Sequence, residues 1–102
     1  MFGYKFYEGV VCSDGFKMSV QAHDGAYCEP RTNNASSYSR VEVGFPSDAE
    51  SLLMPWIDGD DSNPTGQVYG YVPSSVILEV IEKHGGLVSG ELPPLRFTAF
   101  TE

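Results

Sequence analysis

Two Asp-Gly pairs, Asp14-Gly15 and Asp24-Gly25, bracket a stretch of strictly alternating side chains. Asp-Gly between apolar runs is among the strongest hairpin signals, because two-residue β-turns need positive φ at their central positions. Between the pairs, Phe16, Met18, Val20 and Ala22 point one way and Lys17, Ser19, Gln21 and His23 the other. That is period two with one buried face. The first pair predicts a hairpin between Tyr4–Cys12 and this strand. The second turns the chain again into Ala26-Tyr27-Cys28.

Prolines and glycines divide the rest. Residues 29–37 (EPRTNNASS) have the composition of a surface loop. A strand comes next, with Ser39, Val41, Val43 and Phe45 alternating with Tyr38, Arg40, Glu42 and Gly44 until Pro46 stops it. Ser47-Asp48-Ala49-Glu50 reads as a capping box opening a helix of a turn or two, which Pro55 must end. Trp56 and Ile57 then return to the core, and residues 58–66 (DGDDSNPTG) form an acidic loop. Residues 67–72 read as a strand closed by Pro73. Ser74 or Ser75 caps a second helix carrying Val76, Ile77, Val80 and Ile81 at helical spacing, and Gly85-Gly86 ends it in the left-handed region. Residues 95–100 (LRFTAF) predict a last strand.

This order predicts one small α+β domain over residues 1–102. It consists of an antiparallel or mixed sheet with an N-terminal hairpin and two short helices on one face. Phe16, Met18, Val20, Val41, Val43, Phe45, Val76, Ile77, Val80 and Ile81 are the expected core.

The charge is distributed unevenly. Of 14 acids and 6 bases, the stretch from Val41 to Glu82 holds Glu42, Asp48, Glu50, Asp58, Asp60, Asp61, Glu79 and Glu82 with no lysine or arginine, so the net charge of −8 lies there. Such a field repels nucleic acid and anionic membrane and attracts a basic protein surface. No run of about 18 apolar residues suggests a membrane span. The N-terminal segment, interrupted by Lys5 and Glu8, does not read as a signal peptide, which predicts a cytoplasmic setting. There, Cys12 and Cys28 are expected as free thiols; a bridge between them would restrict the unfolded chain by roughly 3 kcal/mol.

Candidate chemistry is sparse. Asp58, Asp60 and Ser62 alternate as calcium ligands do, but Asn63 and Tyr69 stand where an EF-hand needs Gly and Glu. Cys12, His23, Cys28 and His84 lack zinc-site spacing. His23, Asp24 and Cys28 lie close enough in sequence to suggest a Cys–His pair, and an enzyme using His23, Cys28 or His84 is the reading from another class. Neither a catalytic site, a metal nor a cofactor is expected. Tyr69 and Tyr71 are expected on one strand face, with a base-stacking role disfavoured by the missing positive charge.

The segments 27–31 (YCEPR), 41–47 (VEVGFPS) and 68–73 (VYGYVP) resemble small, uncharacterised acidic proteins encoded by bacteriophages. That resemblance implies a small protein made in a bacterial host cytoplasm, of a kind that blocks a host protein, sometimes by imitating DNA. The expected function is therefore non-enzymatic binding of a basic host protein surface. Asp48, Glu50, Asp58, Asp60 and Asp61 supply charge, and Trp56, Tyr69 and Tyr71 serve as anchors. The alternative is a small virion or assembly component.

Overall fold

A computed structural model describes residues 5–97. The chain runs β1 (Val10–Cys12), β2 (Lys17–Gln21), β3 (Arg40–Gly44), a 3-10 turn (Met54–Trp56), β4 (Ile57–Asp58), a second 3-10 turn (Pro64–Gly66), β5 (Val68–Pro73), α1 (Ser74–Lys83) and β6 (Leu87–Ser89). The six strands form one sheet in the order β4-β5-β3-β2-β1-β6, and every ladder is antiparallel. The α+β class holds, with one α-helix among the described residues where two were expected.

The first hairpin forms as its sequence predicts, with a different turn. Cys12 and Phe16 close a three-residue loop in which only Gly15 has positive φ (95°). This is a tight turn ending in a left-handed glycine, the next most common hairpin after the two-residue types. Asp14 fixes it by accepting the Phe16 amide at 2.9 Å. The second Asp-Gly pair makes a turn closed by Ala26 N–H to the His23 carbonyl, but it leads into no strand.

Sequence periodicity places the core with three exceptions. Phe16, Met18, Val20, Val41, Val43, Ile77, Val80 and Ile81 are buried in one cluster, joined by Leu53, Tyr38, Tyr69 and Val72. Phe45 is instead 60 % exposed. Its φ of 50° breaks the pleat and turns the ring outward. Val76 is only partly buried, at the edge of the helix's apolar stripe. Tyr38, expected on the outer face, is fully buried because its hydroxyl is satisfied: it donates to the Thr32 carbonyl at 2.7 Å and accepts the Ala35 amide at 3.1 Å.

The capping box does not start a helix. Ser47 is held at the edge of β2, where its amide donates to the Lys17 carbonyl and its Oγ accepts the Lys17 amide. Glu50 is drawn into the protein interior. Beyond it the chain forms only a 3-10 turn, with Pro55 inside it. In α1, Pro73 occupies the cap position without a side-chain bond, and Ser74 Oγ donates to the Tyr38 carbonyl at 2.7 Å instead. The helix ends as expected: Gly85 (φ 91°) and Gly86 donate to the carbonyls of Glu82 and Ile81, a Schellman closure. The strand β6 just past this closure is an addition to the predicted elements. Of the last predicted strand, Leu95 makes an isolated bridge to Tyr38, and residues 98–100 lie outside the described residues.

Candidate functional site

The surface built around β4 and β5 gathers three of the expected contacts. β5 carries a bulge: Val41 pairs with Val72 and Val43 with Tyr69, so Gly70 and Tyr71 together face Glu42. Tyr71 takes a left-handed conformation (φ 56°) and half-emerges, 38 % exposed, while Tyr69 is fully buried. The two tyrosines therefore do not share a face, which corrects the sequence reading. Tyr69 is a core residue whose hydroxyl donates to the Pro64 carbonyl at 2.6 Å, so it pins the acidic loop rather than anchoring a partner.

The bulge receives Tyr27. The Tyr71 amide donates to the Tyr27 carbonyl at 2.9 Å, and the Tyr27 amide donates to Glu42 Oε1 at 2.8 Å. Gly70 makes the approach possible, since a Cβ there would lie 3.1 Å from Tyr27 Cβ. The Tyr27 and Tyr71 rings stack with centroids 5.8 Å apart and planes 21° apart. Across from them, the end of the first 3-10 turn brings Trp56, and β4 brings Ile57 and Asp58. Tyr27, Trp56, Ile57, Asp58, Gly70 and Tyr71 line an open groove of about 420 Å³.

Asp58 is exposed on the groove and has no ion-pair partner among the described residues. Asp60 and Asp61 come after it in an exposed loop. Asp60 Oδ1 accepts both the Ser62 amide (2.9 Å) and hydroxyl (2.7 Å), and those bonds hold its carboxyl below the usual range. This loop is an Asx turn. Asp48 is exposed but lies outside the groove lining.

Glu50 leaves the proposed acidic face altogether. Its side chain is 1 % exposed, with Oε2 accepting from Lys83 Nζ at 2.8 Å and from the Leu52 amide at 2.9 Å. Oε1 meets His84 Nε2 at 2.6 Å, while His84 Nδ1 meets Asp14 Oδ2 at 2.6 Å. The imidazole stacks on Phe16 at 4.1 Å. Burial opposes the charge on His84, but hydrogen bonds to Glu50 and then Asp14 outweigh it and raise its pKa. Burial likewise opposes the charge on Glu50, and the bonds from Lys83, Leu52 and His84 outweigh it and lower its pKa. Asp14 is lowered first by the Phe16 amide and then by His84. This cluster ties the β1–β2 turn, the 47–53 segment and the end of α1 together.

Of the residues in the enzyme alternative, Cys28 adjoins His23, and His84 belongs to the separate Glu50 cluster. Cys28 is buried, its thiol donating to the carbonyls of His23 (3.2 Å) and Pro30 (3.4 Å), and burial raises its pKa. His23 Nδ1 accepts the Gly25 amide, and His84 is held by the carboxylates above. Both cysteines are free. Among the described residues no cluster of His, Cys, Asp and Glu suits a metal ion, and no helix is long and apolar enough to cross a membrane.

Sequence reasoning reached Trp56, Asp58 and Tyr71 but missed Tyr27, Ile57 and Gly70 as site residues. An isolated glycine inside a strand pattern is a bulge signal, and Gly70 carries it. Nothing in the sequence points from Gly70 to Tyr27, which lies in another segment. No family model, no curated protein and no solved structure matches the chain.

Proposed function

We propose that the chain is a non-enzymatic binding protein that docks its aromatic groove and adjoining acidic loop on a basic protein surface. The observation that carries this reading is the convergence of Trp56, Tyr27 and Tyr71 with the unpaired carboxylate of Asp58 in one groove. Amphipathic rings supply contact area at low entropic cost, and exposed carboxylates steer an oppositely charged partner. The acids that adjoin the groove at the surface are Asp58, Asp60 and Asp61; Glu50 and Glu42 have internal partners, and Asp48 lies away from the lining. With the phage resemblance, the reading becomes a cytoplasmic protein that blocks a basic host component. Carboxylates presented this way compete for the lysines and arginines that hold nucleic-acid phosphates.

The test is affinity capture from bacterial lysate with the wild-type chain and the triple variant Asp58→Asn/Asp60→Asn/Asp61→Asn. Basic proteins retained by wild type at low salt, and lost both at high salt and in the variant, support the reading. Identical capture by both chains defeats it.

An assembly role has one observation in its favour. β6 is a sheet edge, and Leu87 and Val88 on it are exposed, as is Leu78 on the neighbouring helix. Self-association measured by light scattering separates this reading from the first.

A further inference from the structure

We propose that the groove seats the guanidinium of an arginine side chain presented by the basic partner, in preference to a lysine ammonium. The inference rests on the docking reading above and names the chemical group that fills the site.

Two features of the groove and one beside it point to a flat cation. The Tyr27 and Tyr71 rings are nearly parallel, so a third planar group extends their stack rather than crossing it. Tyr27 already carries such a group: Arg31 Cζ lies 5.5 Å from its ring centroid, outside the groove lining. Asp58 then supplies the countercharge, with two carboxylate oxygens able to accept a pair of guanidinium N–H bonds.

Of the other charges near these rings, Arg31 lies over Tyr27, and Glu42 and Arg40 have partners of their own. Glu42 accepts the Tyr27 amide, and Arg40 donates to the Tyr71 carbonyl at 2.9 Å while facing Glu29 at 3.9 Å. Asp58 is thus the groove-lining charge left for an incoming group. A guanidinium is weakly hydrated, stacks on aromatic faces and binds carboxylate bidentately, whereas an ammonium is a strongly hydrated point charge. A volume of about 420 Å³ takes one long side chain with the backbone that presents it. The acidic loop next to Asp58 repels any ligand carrying phosphate, so the arginine belongs to a protein.

Trp56 is the only tryptophan in the chain and lines the groove, which makes it the reporter. Two capped pentapeptides, Gly-Gly-Arg-Gly-Gly and Gly-Gly-Lys-Gly-Gly, are titrated at low salt against the full chain. Trp56 emission and its indole N–H resonance are monitored. The arginine peptide is expected to give a saturable change, with the lysine peptide at least about fivefold weaker. Asp58→Asn is expected to weaken the arginine peptide by about five- to tenfold and to reduce the preference, with an unchanged circular dichroism spectrum. Equal affinities for the two peptides overturn the guanidinium site, as does the absence of a saturable change with the arginine peptide. Capture of basic proteins is measured separately, so docking stands or falls on its own result.

Discussion

Replacing Glu50 by glutamine is expected to destabilise the fold by about 2–3 kcal/mol near pH 6, far more than a typical surface charge change. Glu50 makes three bonds with a side chain 1 % exposed: to Lys83 (2.8 Å), His84 (2.6 Å) and the Leu52 amide (2.9 Å). Glutamine offers one acceptor, and its amide N–H₂ must then face another donor. Removing one member of a buried ion pair typically costs about 3–5 kcal/mol. That figure is reduced here because Lys83 is 46 % exposed and returns to water, and because His84 keeps Asp14. In a domain of this size each kcal/mol lowers Tm by about 4–8 °C, so a drop of about 8–24 °C is expected. The pH dependence gives a second readout. The raised His84 pKa contributes stability that is complete below its unfolded value of 6.5 and is lost as pH rises through the folded value. The lowered Glu50 pKa contributes stability present above 4.5 and lost as pH falls through its folded value. The cluster is therefore strongest between about pH 4.5 and 6.5. Urea melts of wild type should weaken from pH 6 to pH 8, and the variant should show a shallower decline. A variant within about 0.5 kcal/mol of wild type at pH 6, with the same pH slope, refutes this assignment of Glu50.

The packing sets three further outcomes. Val80→Ala, at a fully buried helix position, should cost about 1–3 kcal/mol by denaturant melt. Gly70→Ala places a Cβ 3.1 Å from Tyr27 Cβ, and should cost about 1 kcal/mol while displacing the Tyr27 ring and diminishing any ligand response at Trp56. Cys12 and Cys28 are buried free thiols whose pKa values burial raises. They should resist alkylation in the native protein, and both should react after unfolding without reductant, as read by intact mass; finding neither modified would establish a bridge.

Local rules read well wherever local energy decides. The Asp14-Gly15 hairpin, the β2 alternation and the Gly85-Gly86 helix end all form because their backbone requirements are met within a few residues. The capping box fails because Ser47 and Glu50 find distant partners. Lys17 takes Ser47, and Lys83 with His84 takes Glu50, so tertiary bonds outcompete a helix that Pro55 already keeps short. Phe45 and Tyr71 escape the period-two reading because positive φ at each breaks the pleat. In the groove, Trp56 and Asp58 lie two residues apart in the chain and are legible as a site. Tyr27 reaches it only through the bulge at Gly70, a long-range pairing that alternation does not encode.

The most direct test of the docking groove is the rate at which a captured basic partner associates, monitored by Trp56 fluorescence from low to high ionic strength. Wild type and the triple variant Asp58→Asn/Asp60→Asn/Asp61→Asn are compared. Asparagine keeps the acceptor oxygen that Ser62 uses at position 60, so the loop should hold its shape. Steering by these three carboxylates predicts an association rate about tenfold lower in the variant at low salt and a much flatter salt dependence. An unchanged rate with an unchanged salt slope contradicts it.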